Sequence, residues 1–345
     1  MLENLLYGFT VAATFQNLSA CFIGALLGTA IGVLPGIGPV ATISLLLPLT
    51  FGMPPTTAII MLAGIYYGAQ YGGSTTSILM NLPGEVSSVI TTLDGYQMAR
   101  NGQAGPALAV AAIGSFIAGC TATVLVAALG PLLTAVALSF GPADYFSLML
   151  LGLIVSAVLS EGNVVKSIGM MVAGVGLGLV GTDVQTGQQR FTFDIPELSD
   201  GIGFAPMAMG MFGIAEIIRN LEMPEVRAAL KTKISRLWLT KEEWKRVAAP
   251  IARGTALGSV VGILPGGGAA LSSMGAYTLE RRISRNKHLF GKGAIEGVAA
   301  PESANNAAAQ TSFIPLLTLG IPANPVMALM VGALIIQGIQ PGPRM

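Results

Sequence analysis

GVLPGIGP, residues 32–39, interrupts a stretch that otherwise has the apolar character of a membrane-spanning helix, and the related GILPGGG occupies residues 262–268. Proline ends a helix, and glycine lets backbones approach closely. At membrane depth, irregular backbone is tolerated only inside protein or along a polar cavity, because unpaired N–H and C=O groups cost several kcal/mol each in lipid. Each segment therefore reads as a break between two half-helices. The competing reading is a tight turn between two ordinary spans at the membrane surface. The apolar residues just past the first break, ATISLLLPLTF, are too few for another full crossing, which favours the break.

Composition sets the solvent. Only 10% of residues are charged and 52% are hydrophobic, with mean hydropathy +0.70, whereas soluble domains carry about 25% charge. Runs at 105–140, 143–160, 164–181 and 325–339 approach or exceed the roughly 20 residues of a helical span. They lack the short alternation of an outer-membrane barrel. The expected fold is an all-α polytopic protein of a bacterial inner membrane. MLENLLYGF has no basic n-region, so no cleavable signal is expected.

A net charge of +1 argues against a nucleic-acid partner, but the charges cluster. Residues 219–253 hold Arg219, Arg227, Lys231, Lys233, Arg236, Lys241, Lys245, Arg246 and Arg253, and residues 281–292 are also basic. Both should be cytoplasmic. The connection 182–204, with Asp183, Asp194, Glu197 and Asp200 against Arg190, suits the outer side. Cys21 and Cys120 lie in apolar stretches and read as small buried hydrophobes rather than a disulfide or metal site.

The chain repeats itself. Gly24, Gly28, Gly32, Leu34, Pro35, Gly36 and Gly38 recur 230 residues later as Gly254, Gly258, Gly262, Leu264, Pro265, Gly266 and Gly268. After a short gap, STTSILMNLPGE (74–85) loosely matches QTSFIPLLTLGIPAN (310–324). The organisation expected is a first membrane repeat with following helices (1–218), a basic cytoplasmic linker (219–253) and a second repeat (254–345). Gly254 to Glu280 has basic residues on both sides, and a re-entrant hairpin would keep both inside the cell. The first copy has uncharged flanks, as an outward-opening hairpin allows. The reading is two inverted-topology repeats with broken or re-entrant helices, a pattern that marks transporter substrate sites. The GxxxG glycines are expected to pack helices together.

Backbone amides at Gly36, Ile37, Gly38, Gly266, Gly267 and Gly268 are the first candidates to hold a substrate anion, since no Arg or Lys falls between residues 18 and 93. Ser74, Thr75, Thr76, Ser77, Asn81, Asn305 and Asn306 could assist with hydroxyls and amides, or could simply bond helix to helix. Glu85 and Glu302 weigh more, because a carboxylate at the bilayer centre costs about 2.5–3.5 kcal/mol on insertion scales. With Ser303, Thr311 and Ser312 they are the candidates for a coupling ion, Na⁺ or a proton, unless they lie in surface loops. Trp238 and Trp244 flank Thr240-Lys241-Glu242-Glu243, a capping-box sequence. It predicts a short amphipathic helix on the cytoplasmic membrane surface or a solvated linker helix. His288 is the only histidine, and neither HExxH nor GxxxxGK[ST] occurs, so no enzyme and no cofactor are expected.

GTAIGVLPGIGPVATISLLLPLTF, AGIYYGAQYGGSTTSILMNLPGE, DGYQMARNGQAGPALAVAAIGSF, GTDVQTGQQRFTF and GILPGGGA closely resemble the large membrane subunit of tripartite tricarboxylate transporters, the TctA-type family. The resemblance covers nearly the whole chain. It implies a secondary transporter driven by an ion gradient, working with a small four-helix membrane subunit and a periplasmic solute-binding protein. The substrates it implies are tricarboxylates or related carboxylates. Family members continue past QGIQPGPR, so the second repeat is expected to be truncated at Met345. The other readings left by the residues are a channel-like subunit with re-entrant loops and a membrane scaffold.

Overall fold

The computed structural model describes residues 2–34, 37–159, 163–183, 187–199, 201–202, 236–264 and 268–342, with positions 207, 210 and 218. Pro35, Gly36 and residues 265–267, expected to form the tips of the breaks, lie outside the described residues, as do Arg219, Arg227, Lys231, Lys233 and Asp200.

The chain enters through α1 (Leu2–Ala12) and α2 (Phe15–Gly32). Thr14 caps α2 by accepting from the Asn17 N–H. After the break come α3 (Pro39–Leu46), a 3-10 turn Leu47–Thr50, and α4 (Pro55–Met80). Both α3 and α4 start on proline, where the missing N–H leaves no helix bond unmade. An irregular helical segment over 86–100 leads to α5 (Ala104–Ala137), α6 (Pro142–Leu159) and α7 (Val164–Gly178). The acidic connection contains the antiparallel pair β1 (Gly181–Thr182) and β2 (Gln189–Arg190), with an Asp183–Arg190 ion pair. The second half comprises α8 (Lys241–Val261), α9 (Gly268–Ile283), α10 (Glu296–Thr311), α11 (Phe313–Leu319) and α12 (Pro325–Ile336).

The sequence repeat is a repeat of packing. A Cβ built on Gly24, Gly28 or Gly32 of α2 would lie 2.3, 2.2 and 2.3 Å from the carbonyl oxygens of Met61, Ile65 and Ala69 on α4. On Gly254 or Gly258 of α8, or on Gly262 just past its end, it would lie 2.3, 2.1 and 2.5 Å from those of Ala300, Ala304 and Ala308 on α10. In each copy a glycine ladder lets two helices run in the same direction with backbones in contact. The partners are 239 residues apart, nine more than the glycines, so the gap falls between ladder and partner. The same register continues. Asn81 and Gly320 terminate α4 and α11 in the left-handed conformation (φ 58° and 73°). Glu85 (φ −149°, ψ 168°) and Asn324 (φ −156°, ψ 171°) then open the next helical turn in matching extended geometry. The largest apolar core joins the copies, with Ile43, Leu47, Leu62 and Ile65 packed among Leu316, Met327, Leu329 and Met330.

Three expectations change. Thr240 and Glu243 do form a reciprocal capping box, but the helix they start is not short: α8 continues unbroken to Val261, into the second glycine ladder. The apolar run 325–339 becomes the 12-residue α12 (Pro325–Ile336), about 18 Å long and too short to cross alone. Cys21 and Cys120 are free and exposed, not buried, because they face outward from helices whose inner faces are taken by glycine and alanine contacts. Among the described residues, Phe15–Gly32 and Ala104–Ala135 are long and apolar enough to cross a membrane.

Candidate functional site

The polar residues of the core converge where α4 meets α10. Ser74 Oγ donates to Glu302 Oε2 at 2.8 Å, and Thr91 Oγ1 donates to Glu302 Oε1. Further along, Tyr67 Oη donates to Gln310 Oε1. Moving from Ser74 back to Tyr67 on α4 means moving forward from Glu302 to Gln310 on α10, so the two helices cross in opposite senses. In the 239-residue register Glu302 corresponds to Ala63 and Gln310 to Tyr71. Ser74 therefore meets position 63 and Tyr67 meets position 71, two pairs centred within one residue of Ala69.

Each break abuts the turn that closes its own repeat. A Cβ on Gly38, the residue preceding α3, would lie 3.4 Å from Glu85 Cβ, and one on Gly73 would lie 3.3 Å from Glu85 Cγ. Gly84 packs so tightly that its Cβ would sit 2.3 Å from the Gly73 Cα. In the second copy Gly268 (φ +51°) faces Asn324, Cβ to Cβ 3.8 Å, and Asn324 accepts from the Met327 N–H at 3.0 Å. One half-site thus presents a carboxylate and its counterpart an amide.

The predicted site residues separate in this setting. Gly38, Ser74, Glu85, Glu302 and Asn305 are gathered around the first break and the helix crossing. Ile37 closes the turn, its N–H bonded to the Leu34 carbonyl at 3.1 Å, and Asn81 is a helix cap. Thr75, Thr76 and Ser77 donate to carbonyls of their own helix, as do Ser303, Thr311 and Ser312. Asn306 turns toward α5, donating to Ser115 Oγ at 2.7 Å. Gly36, Gly266 and Gly267 lie outside the described residues.

Two residues of this region escape sequence reading. Gln70, one turn before Ser74, is fully buried with neither amide atom hydrogen-bonded. Asp94, also fully buried, accepts at Oδ1 from the N–H groups of Gly291, Gly293 and Ala294 (2.9, 2.9 and 2.8 Å) and at Oδ2 from the Tyr277 hydroxyl. It locks the segment 86–100 onto the loop that starts α10. The only hint in the sequence is an acid in the otherwise neutral DGYQM.

Paired charges line the basic end of the second repeat. Arg253 and Glu280 bind bidentately at 2.9 and 2.8 Å and tie α8 to α9. Two turns farther out along α8, Arg246 binds Glu296 bidentately and Asn286 donates to the same carboxylate. Burial opposes the Glu296 charge, but hydrogen bonds from Arg246 and Asn286 outweigh it and hold its pKa below the usual carboxylate range. Arg236 holds Glu243 down in the same way.

The chain is 60% identical over 343 residues to an uncharacterized 52.8 kDa protein in the TAR-I ttuC' 3' region of Agrobacterium vitis, covering 99% of this chain and 68% of that protein. It is 71% identical over 86 residues to an uncharacterized protein in the TAR-II ttuC' 3' region of the same organism, covering 25% of this chain and 36% of that one. No solved structure matches. Residues 18–345 match the tripartite tricarboxylate transporter TctA family, so the chain belongs to that family of membrane transporter subunits.

Proposed function

We propose that this chain is the large transmembrane subunit of an ion-gradient-driven secondary transporter in a bacterial inner membrane. It imports tricarboxylates or related carboxylates delivered by a periplasmic binding protein, with a small four-helix membrane subunit as partner. The observation that carries this reading is the pair of equivalent broken helices set about the α4–α10 crossing. Parallel ladders within each copy, combined with opposite senses between α4 and α10, are what inverted repeats require. Contacts sharing one centre are what a two-fold axis between equivalent helices produces.

Depth supports the same topology. With Arg253–Glu280 at the cytoplasmic surface, the eight residues to Val261 reach about 12 Å inward, and the twelve from Glu280 to Gly268 about 18 Å. Half the hydrocarbon core is about 15 Å. The second break then lies near the midplane, and by symmetry the first hairpin opens outward. Substrate held between the breaks is exposed alternately as one repeat-derived unit moves against the rest.

The test is citrate uptake into vesicles holding the full-length subunit, its small partner and the binding protein, with and without inward Na⁺ or proton gradients. Accumulation that needs a gradient and the binding protein supports the reading. Flux without saturation or accumulation would mean a channel, and no flux for any of a panel of carboxylates would mean a scaffold. Gly36→Leu and Gly266→Leu should abolish uptake while the protein still inserts. Unchanged uptake and affinity in both would remove the breaks from the site.

A further inference from the structure

Glu302 is 1% exposed, deep in protein on α10, and none of the ion pairs among the described residues reaches it. Its neighbours are hydroxyls, from Ser74 on α4 and Thr91 in segment 86–100. The titratable groups that interact with it are Glu85, from the turn after α4, and Tyr71 of α4. From α5, Ser115 Oγ donates to the Glu302 backbone carbonyl. Half-buried Glu85 packs against Gly73, whose neighbour Ser74 donates to Glu302, so the two carboxyl groups flank the same turn of α4 with no ion pair to either among the described residues, and like charges so placed do not both ionise readily.

A second observation comes from α10 itself. Asn305, one turn along the same face of α10, is fully buried, and its Nδ2 makes no hydrogen bond. An idle buried donor beside a carboxyl group leaves a place for the acceptor that appears when the acid gives up its proton. Gln70, idle at both amide atoms, adds unused polar capacity on the facing helix. A metal cation would be served differently. Hard cations gather about six oxygens, and the hydrogen bonds of the Ser303, Thr311 and Ser312 hydroxyls do not bring them to the Glu302 carboxyl.

We propose that Glu302, with Glu85 beside it, is the group that carries the coupling proton. The proposal rests on the transporter reading above. A proton enters with the anionic substrate because Glu302, Glu85 and the substrate carboxylates disfavour one another's charge. It leaves to the cytoplasm when the substrate does, and Asn305 then donates to the bare carboxylate.

The proton site can be tested without substrate, by infrared titration of the full-length subunit in phosphatidylethanolamine–phosphatidylglycerol bilayers. A carboxylic-acid C=O band should vanish as pH rises, be absent in Glu302→Gln and return in Glu302→Asp, with the amide band unchanged throughout. No Glu302-dependent band, or one removed by Na⁺ at constant pH, overturns the proposal. Radiolabelled citrate uptake separates the two readings. If wild-type uptake follows a Na⁺ gradient and ignores a pH gradient, the proton site fails and the transporter stands. If no carboxylate is taken up at all, the transporter reading fails while the titration still decides the site.

Discussion

Tyr277 donates its hydroxyl proton to Asp94 at 2.9 Å across 183 residues of sequence, and with three backbone N–H groups it completes the shell of a buried carboxylate. Removing the acceptor strands all three N–H groups in the interior. Asp94→Ala is expected to destabilise the protein by at least about 3 kcal/mol. Asp94→Asn, which keeps one acceptor oxygen, should cost less. Thermal unfolding in detergent checks both, and equal melting temperatures for all three proteins would refute the lock.

The glycine ladders make a contrasting pair of expectations. Gly28→Ala and Gly258→Ala drive a methyl group into a backbone carbonyl, 2.2 and 2.1 Å away. Each should cost about 1–3 kcal/mol as the helices separate. Gly119, in the middle of α5, has open space where a Cβ would go. Gly119→Ala should be neutral or stabilising by up to about 1 kcal/mol through helix propensity. A similar loss at all three positions would show that close packing is not what the ladders provide.

Topology is open to single-cysteine labelling in a background lacking Cys21 and Cys120. Arg100, Lys245 and Arg282 are exposed, on segment 86–100 and on the two arms of the second hairpin. Cysteines at these positions should react with an impermeant thiol reagent from the cytoplasmic side. One at Gly52, exposed between α3 and α4, should react from the opposite side. Labelling of Lys245→Cys and Arg282→Cys from opposite sides would replace the re-entrant hairpin with a simple span.

Stability should fall in acid. The Glu296 pKa is held below its unfolded value, about 4.3 for glutamate. Its contribution is therefore complete above that pH and is lost as pH falls through the folded-state value. Glu243 acts in the same direction, but its partner Arg236 is largely exposed and the gain is small. Melting temperature followed from neutral to acidic pH should drop, and Glu296→Gln should lower the neutral value and flatten the slope. An unchanged slope would show that Arg246–Glu296 adds nothing.

The helical class, the two breaks and the repeat were legible in the amino-acid order because each depends on local chemistry. A proline flanked by glycines within a few residues, as in both LPG-x-G segments, interrupts a helix locally, and GxxxG spacing survives any arrangement of the rest. The capping box at Thr240 was legible for the same reason. Its helix length was not, because α8 continues through Gly254 and Gly258 to Val261 only against the closely packed backbone of α10. Composition also placed Glu85 and Glu302 among the few acids of apolar segments, but not at the same turn of α4, where Gly73 meets one and Ser74 the other. Whether a hydroxyl serves its own helix, as in Thr76, Ser77 and Ser303, or a distant carboxylate, as in Ser74, depends on which helix faces it. Tertiary structure alone decided that, and with it the burial of Gln70 and the lock at Asp94. Contacts spanning about two hundred residues have no local signal in a chain, since their energy is gained only after distant helices have packed.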